Sequence, residues 1–141
     1  MIILRTPEVN MKLLLAVCLL ATIALAAEKR QVRTSAFLGS MPINDFLRQW
    51  HPKGFPAGND FIYSLATEEG RKVELTCASI NIEEPCSENI FKLIDGDYTE
   101  TFCGQKKDFV YKSKTHILSL QLESGANVIK ETPQCSAKPV D

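Results

Sequence analysis

The sequence predicts an all-β sandwich or barrel with a disulfide framework. From Phe61 onward, short segments of alternating apolar and polar residues are separated by turns rich in Gly, Asp, Asn and Pro. The clearest segment runs from His116 to Glu123, where three leucines share one face and polar residues share the other. Four cysteines lie in this same part of the chain. Short strands at close spacing with frequent turns are typical of sandwiches and barrels.

The predicted elements follow one another along the chain. Phe46, Leu47 and Trp50 allow one helical turn or an extended pair of anchors, and residues 51–59 form a loop because they are rich in Pro and Gly. A change of phase near Ala78-Ser79 predicts a bulge or bend in the second strand. The predicted strand segments are Phe61–Leu65, Val73–Ile82, Ile90–Ile94, Thr101–Gly104, Phe109–Tyr111, His116–Glu123 and a last segment beginning at Val128.

The N-terminal region has the order of features that is typical of a secretory signal. Met11 and Lys12 precede the apolar run 13–25, which is too short to span a bilayer comfortably. Small residues follow this run as an A-x-A cleavage pattern. We therefore expect residues 1–26 to be a signal peptide, with Met11 as an alternative start of translation. A buried or membrane-anchoring helix is the competing interpretation.

Residues 27–45 are polar and unpatterned, which predicts a flexible leader between the signal and the domain. The mature chain is expected to begin at or near Ala27. The dibasic pair Lys29-Arg30 would allow a further cut that makes Gln31 the N-terminus. An ordinary charged leader explains the same residues and is favoured.

Composition argues against several classes of function. The formal net charge is -1, from 16 basic and 17 acidic residues, so no basic surplus indicates nucleic-acid binding. No second long apolar run follows the signal, and we expect no stable membrane anchor. No Asn-x-Ser/Thr sequon occurs, so N-glycosylation is not expected.

The cysteines indicate export. Cys18 would be lost with the signal, which leaves an even number of cysteines, the pattern of a disulfide framework. Four cysteines allow three pairings, and spacing alone does not choose among them. A zinc site is not favoured, because no close C-x-x-C pair is present. The four remaining cysteines are Cys77, Cys86, Cys103 and Cys135.

The segment from Cys86 to Asp97, followed by Phe102-Cys103-Gly104, resembles the centre of a CUB domain. That family shows C-x-x-D, an alternating strand, a D-G turn and then C-G. The strand Ile117–Leu122 resembles the family strand that follows. The stretch Pro52–Asn59 resembles the family's proline-rich lead-in.

A further likeness lies upstream, where Glu74-Leu75-Thr76-Cys77 is similar to a variant seen in CUB domains attached to insect serine proteases. The resemblance covers roughly residues 47–135. It implies a CUB-like jelly-roll β-sandwich over residues 46–137, with a C-terminal tail at 138–141. It also selects among the three pairings, and the bridges it implies are Cys86–Cys103 and Cys77–Cys135.

The sequence departs from the CUB pattern in ways that bear on metal binding. Phe61 stands where the family usually has a strand cysteine, and the family's usual aromatic-Gly-Phe ending is absent. Many CUB domains bind calcium through a Glu, the Asp of the C-x-x-D motif and a later Asp. The matching positions here are Asn81, Asn89 and Gly125. A hard cation needs several charged oxygens, so we expect no calcium site and no other cofactor.

Nothing in the sequence indicates an active site, and we expect no enzymatic activity. No G-x-S-x-G, G-D-S-G-G, P-loop or dinucleotide glycine motif is present. The only histidines are His51, in the proline-rich loop, and His116, at a strand start where a surface position is favoured. No free thiol remains if both bridges form.

Two surface features have competing interpretations. Trp50, Phe55 and Phe61 are read either as ligand anchors or as a cap on the open end of the sandwich, and the cap is favoured. Lys106-Lys107 with Lys112 and Lys114 make a modest basic cluster. For this cluster a solvated loop face is favoured over an anion-binding patch.

These observations and the resemblance together predict a secreted, non-enzymatic CUB-like domain that binds an extracellular protein or glycan. The insect-like variant suggests an arthropod secretion, whether venom, saliva or haemolymph. The alternative is a relic of a CUB–serine protease chain that docks to a protease or changes its activity. A membrane-active toxin ranks last, because the chain lacks a cationic amphipathic segment of useful length.

Overall fold

The alternating residues of the predicted strands form two sheets whose apolar faces pack together. The computed structural model describes residues 31–141, so the expected signal peptide and residues 27–30 lie outside the described residues. Within residues 31–141, no helix is long and apolar enough to cross a membrane. The elements are β1 (Gln31–Phe37), α1 (Phe46–Trp50), β2 (Asp60–Ala66), β3 (Lys72–Ile82), β4 (Ile90–Asp95), β5 (Tyr98–Phe102), β6 (Gly104–Lys112), β7 (Ile117–Glu123) and β8 (Gln134–Val140).

The fold is an all-β sandwich of unequal sheets. One sheet has five strands in the order β1-β2-β7-β4-β5, and the other has three in the order β6-β3-β8. Strand β1 pairs in parallel with β2, whereas the other neighbouring pairs are antiparallel. Closing one sheet over the other buries the inward faces of β2, β3, β4, β7 and β8, which explains the alternation in their sequences.

The core lies between the two sheets. Leu118, Leu120 and Leu122 of β7 are fully buried, as their shared face predicts. The pairing of β3 with β8 shifts register between Cys77 and Ser79, which confirms the predicted bulge. That bulge lets Ile80 and Ile82 return to the core after the change of phase.

Residues 31–45 do not form a flexible leader in the structure, which corrects that expectation. Gln31 to Phe37 pair with Asp60 to Ala66, and Ile43 makes a bridge to Ala137. Leu38 is 1% exposed and belongs to the core. Sequence pattern missed this edge strand because three of its four outward positions are polar and its inward positions are only partly buried.

The C-terminal residues are also part of the sheet. Lys138 to Val140 belong to β8, so only Asp141 remains beyond the last strand, where it contacts Arg71 at 3.3 Å. The predicted last segment at Val128-Ile129 does not form a strand, and only an isolated bridge is found there. Ile129 instead bridges Phe55 at the end of the sandwich where β2 begins and β7 ends, which we call the loop end.

Two disulfides connect distant parts of the chain. Cys77 and Cys135 face each other directly across β3 and β8, with a sequence separation of 58. Cys86 and Cys103 join the loop before β4 to the residue between β5 and β6, with a separation of 17. These are the same two pairs that the resemblance to CUB domains implies.

Candidate functional site

The three positions that match calcium ligands lie at the loop end of the sandwich. Asn89 is buried, and its side-chain amide donates to the carbonyl oxygen of Glu83 at 3.0 Å. The backbone N–H of Gly125 donates to Asn89 Oδ1 at 3.0 Å. Asn81 takes no part in this pair of hydrogen bonds and donates from its side-chain amide to Glu131 Oε2 at 3.1 Å. The structure therefore brings Asn89 and Gly125 together, whereas Asn81 is hydrogen-bonded to Glu131.

This donor set does not fit a calcium ion. Both ends of the Asn89 amide are used in hydrogen bonds that join two loops, and Gly125 offers no side-chain oxygen. Within residues 31–141, no group of three or more His, Cys, Asp or Glu side chains is placed to hold a metal. Asn89 connects the loops by hydrogen bonds, a role that in a calcium site belongs to the ion.

We predict that calcium does not stabilise this protein. Thermal unfolding scans with millimolar calcium and with a chelator should overlay, because a ligand that binds only the native state must raise the melting temperature. Asn89→Ala should destabilise the chain equally in both buffers, since it removes two hydrogen bonds and no metal ligand. A calcium-dependent rise of several degrees in the unmodified protein would contradict this prediction.

A second cluster, made of aromatic side chains, lies where α1 and the proline-rich loop pack against strand β2 of the five-stranded sheet. Trp50 stacks on Tyr63 with ring centroids 5.2 Å apart and an interplanar angle of 15°. His51 packs edge-on against both Phe55 and Phe61, at 5.2 Å from each ring. The short helix, the loop and strand β2 thus bring five aromatic or imidazole rings together at one corner of the sandwich.

An open cavity of about 270 Å³ lies beside these rings. We call it the aromatic pocket, and its lining residues are Thr34, Ser35, Trp50, His51, Phe61 and Tyr63. Tyr63 is buried, whereas Trp50 keeps 38% of its surface exposed. Strand β1 supplies one wall, because Thr34 is paired with Tyr63 in the sheet register.

The polar groups at the base of the aromatic pocket are neutral. His51 Nε2 and the Tyr63 hydroxyl share a hydrogen bond of 2.5 Å. Burial lowers the pKa of the His51 imidazole from its usual 6.5, because desolvation penalises the charged form. Burial also raises the pKa of the Tyr63 phenol. At neutral pH both rings are therefore uncharged and hold each other in place.

This lowered pKa predicts how stability depends on pH. The unfolded chain takes up a proton on His51 near pH 6.5 while the folded chain does not. The free energy of unfolding should therefore fall as pH drops below this value, until the folded pKa is reached. His51→Gln should show a smaller fall between about pH 7 and about pH 5, measured by chemical denaturation.

The matched control is His116→Gln, which removes the chain's other imidazole. The control variant leaves the His51–Tyr63 hydrogen bond and the ring contacts of His51 in place. An identical pH dependence for His51→Gln and the unmodified protein would show that His51 does not contribute.

Comparison with protein families decides the classification. A model of the CUB domain family matches residues 43–133, well over half of the chain. The chain belongs to the CUB domain family. The match includes Trp50, His51, Phe61 and Tyr63 but not Thr34 and Ser35, so one wall of the aromatic pocket lies outside the matched CUB segment.

Solved structures share the fold of this CUB domain. The full extracellular region of zebrafish Gpr126/Adgrg6 matches with a TM-score of 0.62 and 18% identity, over 80% of this chain and 15% of that one. The CUB1-EGF-CUB2 domain of human MASP-1/3 matches with a TM-score of 0.62 and 19% identity, over 79% and 44%. The MASP-1 CUB2 domain bound to Ca2+ matches with a TM-score of 0.60 and 20% identity, over 77% and 99%.

The CUB domain spans less than half the length of the first two of these chains. No curated protein matches its sequence significantly.

The aromatic residues that the sequence offered as either ligand anchors or a cap do not all have the same role in this CUB domain. Phe55 is fully buried and caps the core, as favoured, whereas Trp50 is partly exposed beside a cavity. Sequence reasoning missed Tyr63 and Thr34, because each lies within a strand and reaches the pocket only through sheet pairing. The alternation of Phe61, Tyr63 and Leu65 predicts that Tyr63 faces the interior. It does not predict which side chains Tyr63 contacts there.

Two lysines of the predicted basic cluster lie beside carboxylates. Lys106 lies 3.6 Å from Glu100 and stacks over Phe109, and Lys114 lies 3.8 Å from Asp97. Each of these two exposed lysines is therefore matched with a carboxylate. The arrangement resembles a solvated face with surface ion pairs, which contribute little to stability.

Proposed function

We propose that this CUB domain is an extracellular, non-enzymatic binding module whose ligand site is the aromatic pocket. The observation that carries the proposal is Trp50, a large ring that remains 38% exposed at the rim of an open cavity. Partly exposed aromatic residues beside preformed concave sites are typical of ligand contacts. Export is proposed from the signal-like N-terminus and the two disulfides.

Binding without calcium is part of the same proposal. The MASP-1 CUB2 domain has a structure bound to Ca2+, whereas the corresponding amide in this chain is engaged by Glu83 and Gly125. The partner class proposed is an extracellular protein or glycan. An arthropod secretion as the source, and docking to a protease, stay predictions from the Glu74–Cys77 likeness alone.

The experiment is a binding survey with a matched pair of variants. The labelled chain is applied to arrays of glycans and of extracellular proteins, in calcium and in chelator. Trp50→Ala should abolish binding in both buffers. Tyr98→Ala removes an aromatic ring of similar exposure, 39%, from β5 at the opposite edge of the same sheet, and should leave binding unchanged.

Equal binding by the unmodified chain and Trp50→Ala would show that the aromatic pocket is not the ligand site. Circular dichroism of both variants is required first, so that a loss of binding is not mistaken for a loss of fold.

A further inference from the structure

We propose that the aromatic pocket binds a neutral sugar ring, one pyranose unit of a glycan, against the exposed part of Trp50. This inference rests on the proposed function and names the ligand class for the same site. Three properties of the pocket support this inference: its lining has no charged side chain, its aromatic rings are held in place, and it has polar groups without protein partners.

The first property is the absence of charge on the lining residues. The six side chains of the aromatic pocket include no carboxylate, lysine or arginine. The pKa of His51 is lowered by burial, so its imidazole is neutral at pH 7. A charged ligand would lose its hydration here and gain no opposite charge in return. The pocket therefore favours a neutral ligand.

The second property is the arrangement of the rings. Tyr63 stacks on Trp50, and Phe46 meets Trp50 edge-on at 5.4 Å, so the indole is held in one orientation before any ligand arrives. The faces of aromatic rings carry partial negative charge. One side of a pyranose ring presents several C–H groups with partial positive charge, and this side complements an aromatic face.

The third property is a set of polar groups without protein partners. Among residues 31–141, no hydrogen bond joins the Thr34 hydroxyl or the Trp50 indole N–H to another group, whereas His51 Nε2 and the Tyr63 hydroxyl bond to each other. A threonine hydroxyl both donates and accepts, as sugar hydroxyls do. A proline-rich peptide offers only carbonyl acceptors to such a site. Hydroxyl-rich ligands therefore match the lining better than prolyl segments.

The size of the cavity agrees with a single ring. Its volume of about 270 Å³ lies just below the range of about 300–1,000 Å³ that is typical of pockets for drug-sized ligands. Strand β1 supplies Thr34 and lies outside the segment that matches the CUB family. The sugar site is thus completed by a strand that lies before the segment matched by the CUB family model.

The test uses the fact that Trp50 is the only tryptophan in the chain. Its fluorescence is followed while methyl glycosides of glucose, galactose, mannose and N-acetylglucosamine are added up to about 100 mM, which covers millimolar dissociation constants. We expect a saturable change with at least one glycoside. Calorimetry with that glycoside should show binding weakened about tenfold or more by Trp50→Ala.

Thr34→Val keeps the shape and the strand preference of the residue and removes only the hydroxyl. It should weaken binding about three- to tenfold, the value of one neutral hydrogen bond. Tyr98→Ala should leave the dissociation constant unchanged. Because Thr34→Val changes no aromatic contact, it tests the site even if Trp50→Ala fails to fold.

The outcomes separate this inference from the proposed function. No fluorescence change with any glycoside, together with Trp50-dependent binding of a hexaproline peptide or an arrayed protein, would overturn the sugar assignment and leave the binding site in place. No Trp50-dependent ligand of any class would overturn both. A saturable glycoside response that Thr34→Val leaves unchanged would also contradict the geometry proposed.

Discussion

Replacing Cys77 and Cys135 together by alanine is expected to lower the free energy of unfolding by about 4 kcal/mol. The bridge closes a loop with a sequence separation of 58, and a long closed loop removes much conformational freedom from the unfolded chain. A domain of this size typically has only about 5–15 kcal/mol of stability in total. Chemical denaturation of the double variant, compared with the unmodified chain, measures the change.

The matched control is the double variant at Cys86 and Cys103. This bridge closes a separation of only 17, so its loss should cost about 3 kcal/mol by the same argument. Alanine is chosen because Cys77 and Cys135 are fully buried, where a serine hydroxyl would need a partner. A larger loss at the shorter bridge would show that loop length does not dominate here.

Phe55→Ala is expected to destabilise the domain by about 3–5 kcal/mol, as is usual when a buried phenylalanine is truncated. Phe55, a residue of the proline-rich loop, is fully buried and packs edge-on against His51 and Phe61. Its backbone also exchanges two hydrogen bonds of 2.9 Å with Ile129. The truncation therefore leaves a cavity beneath a backbone that is held in place and cannot collapse freely.

The comparison variant is Phe37→Ala, at the end of β1. Phe37 is 64% exposed, so its truncation should change the free energy of unfolding by less than about 0.5 kcal/mol. Thermal or chemical denaturation of both variants gives the comparison. Similar losses at the two positions would mean that burial of Phe55 is not what stabilises this end of the sandwich.

Sequence alone predicted most of the sandwich but little of the pocket. The alternation in β7 and the phase change in β3 are local patterns, and the structure confirms both. The likeness to CUB domains between Cys86 and Gly104 supplied the family, which the match over residues 43–133 now shows. Periodicity works for these elements because each buries one whole face against the other sheet.

The rest could not be predicted because it depends on contacts between distant residues. Thr34 reaches the pocket only because β1 pairs in parallel with β2, and nothing local marks β1 as a strand. The His51–Tyr63 hydrogen bond joins a loop to a strand 12 residues later. Such neighbours follow from how the proline-rich loop packs against β2, which no periodic pattern records.

The parallel pairing of β1 also determines how the domain responds to a pulling force. Gln31 lies beside Asp60 at the loop end of the sandwich, whereas Val140 lies beside Lys72 at the opposite end. A force that separates residues 31 and 140 therefore acts along the strands and across the hydrogen bonds between them. Bonds loaded in shear must break together, whereas bonds at a peeled edge break one at a time. We therefore expect this domain to resist unfolding when a force is applied between residues 31 and 140.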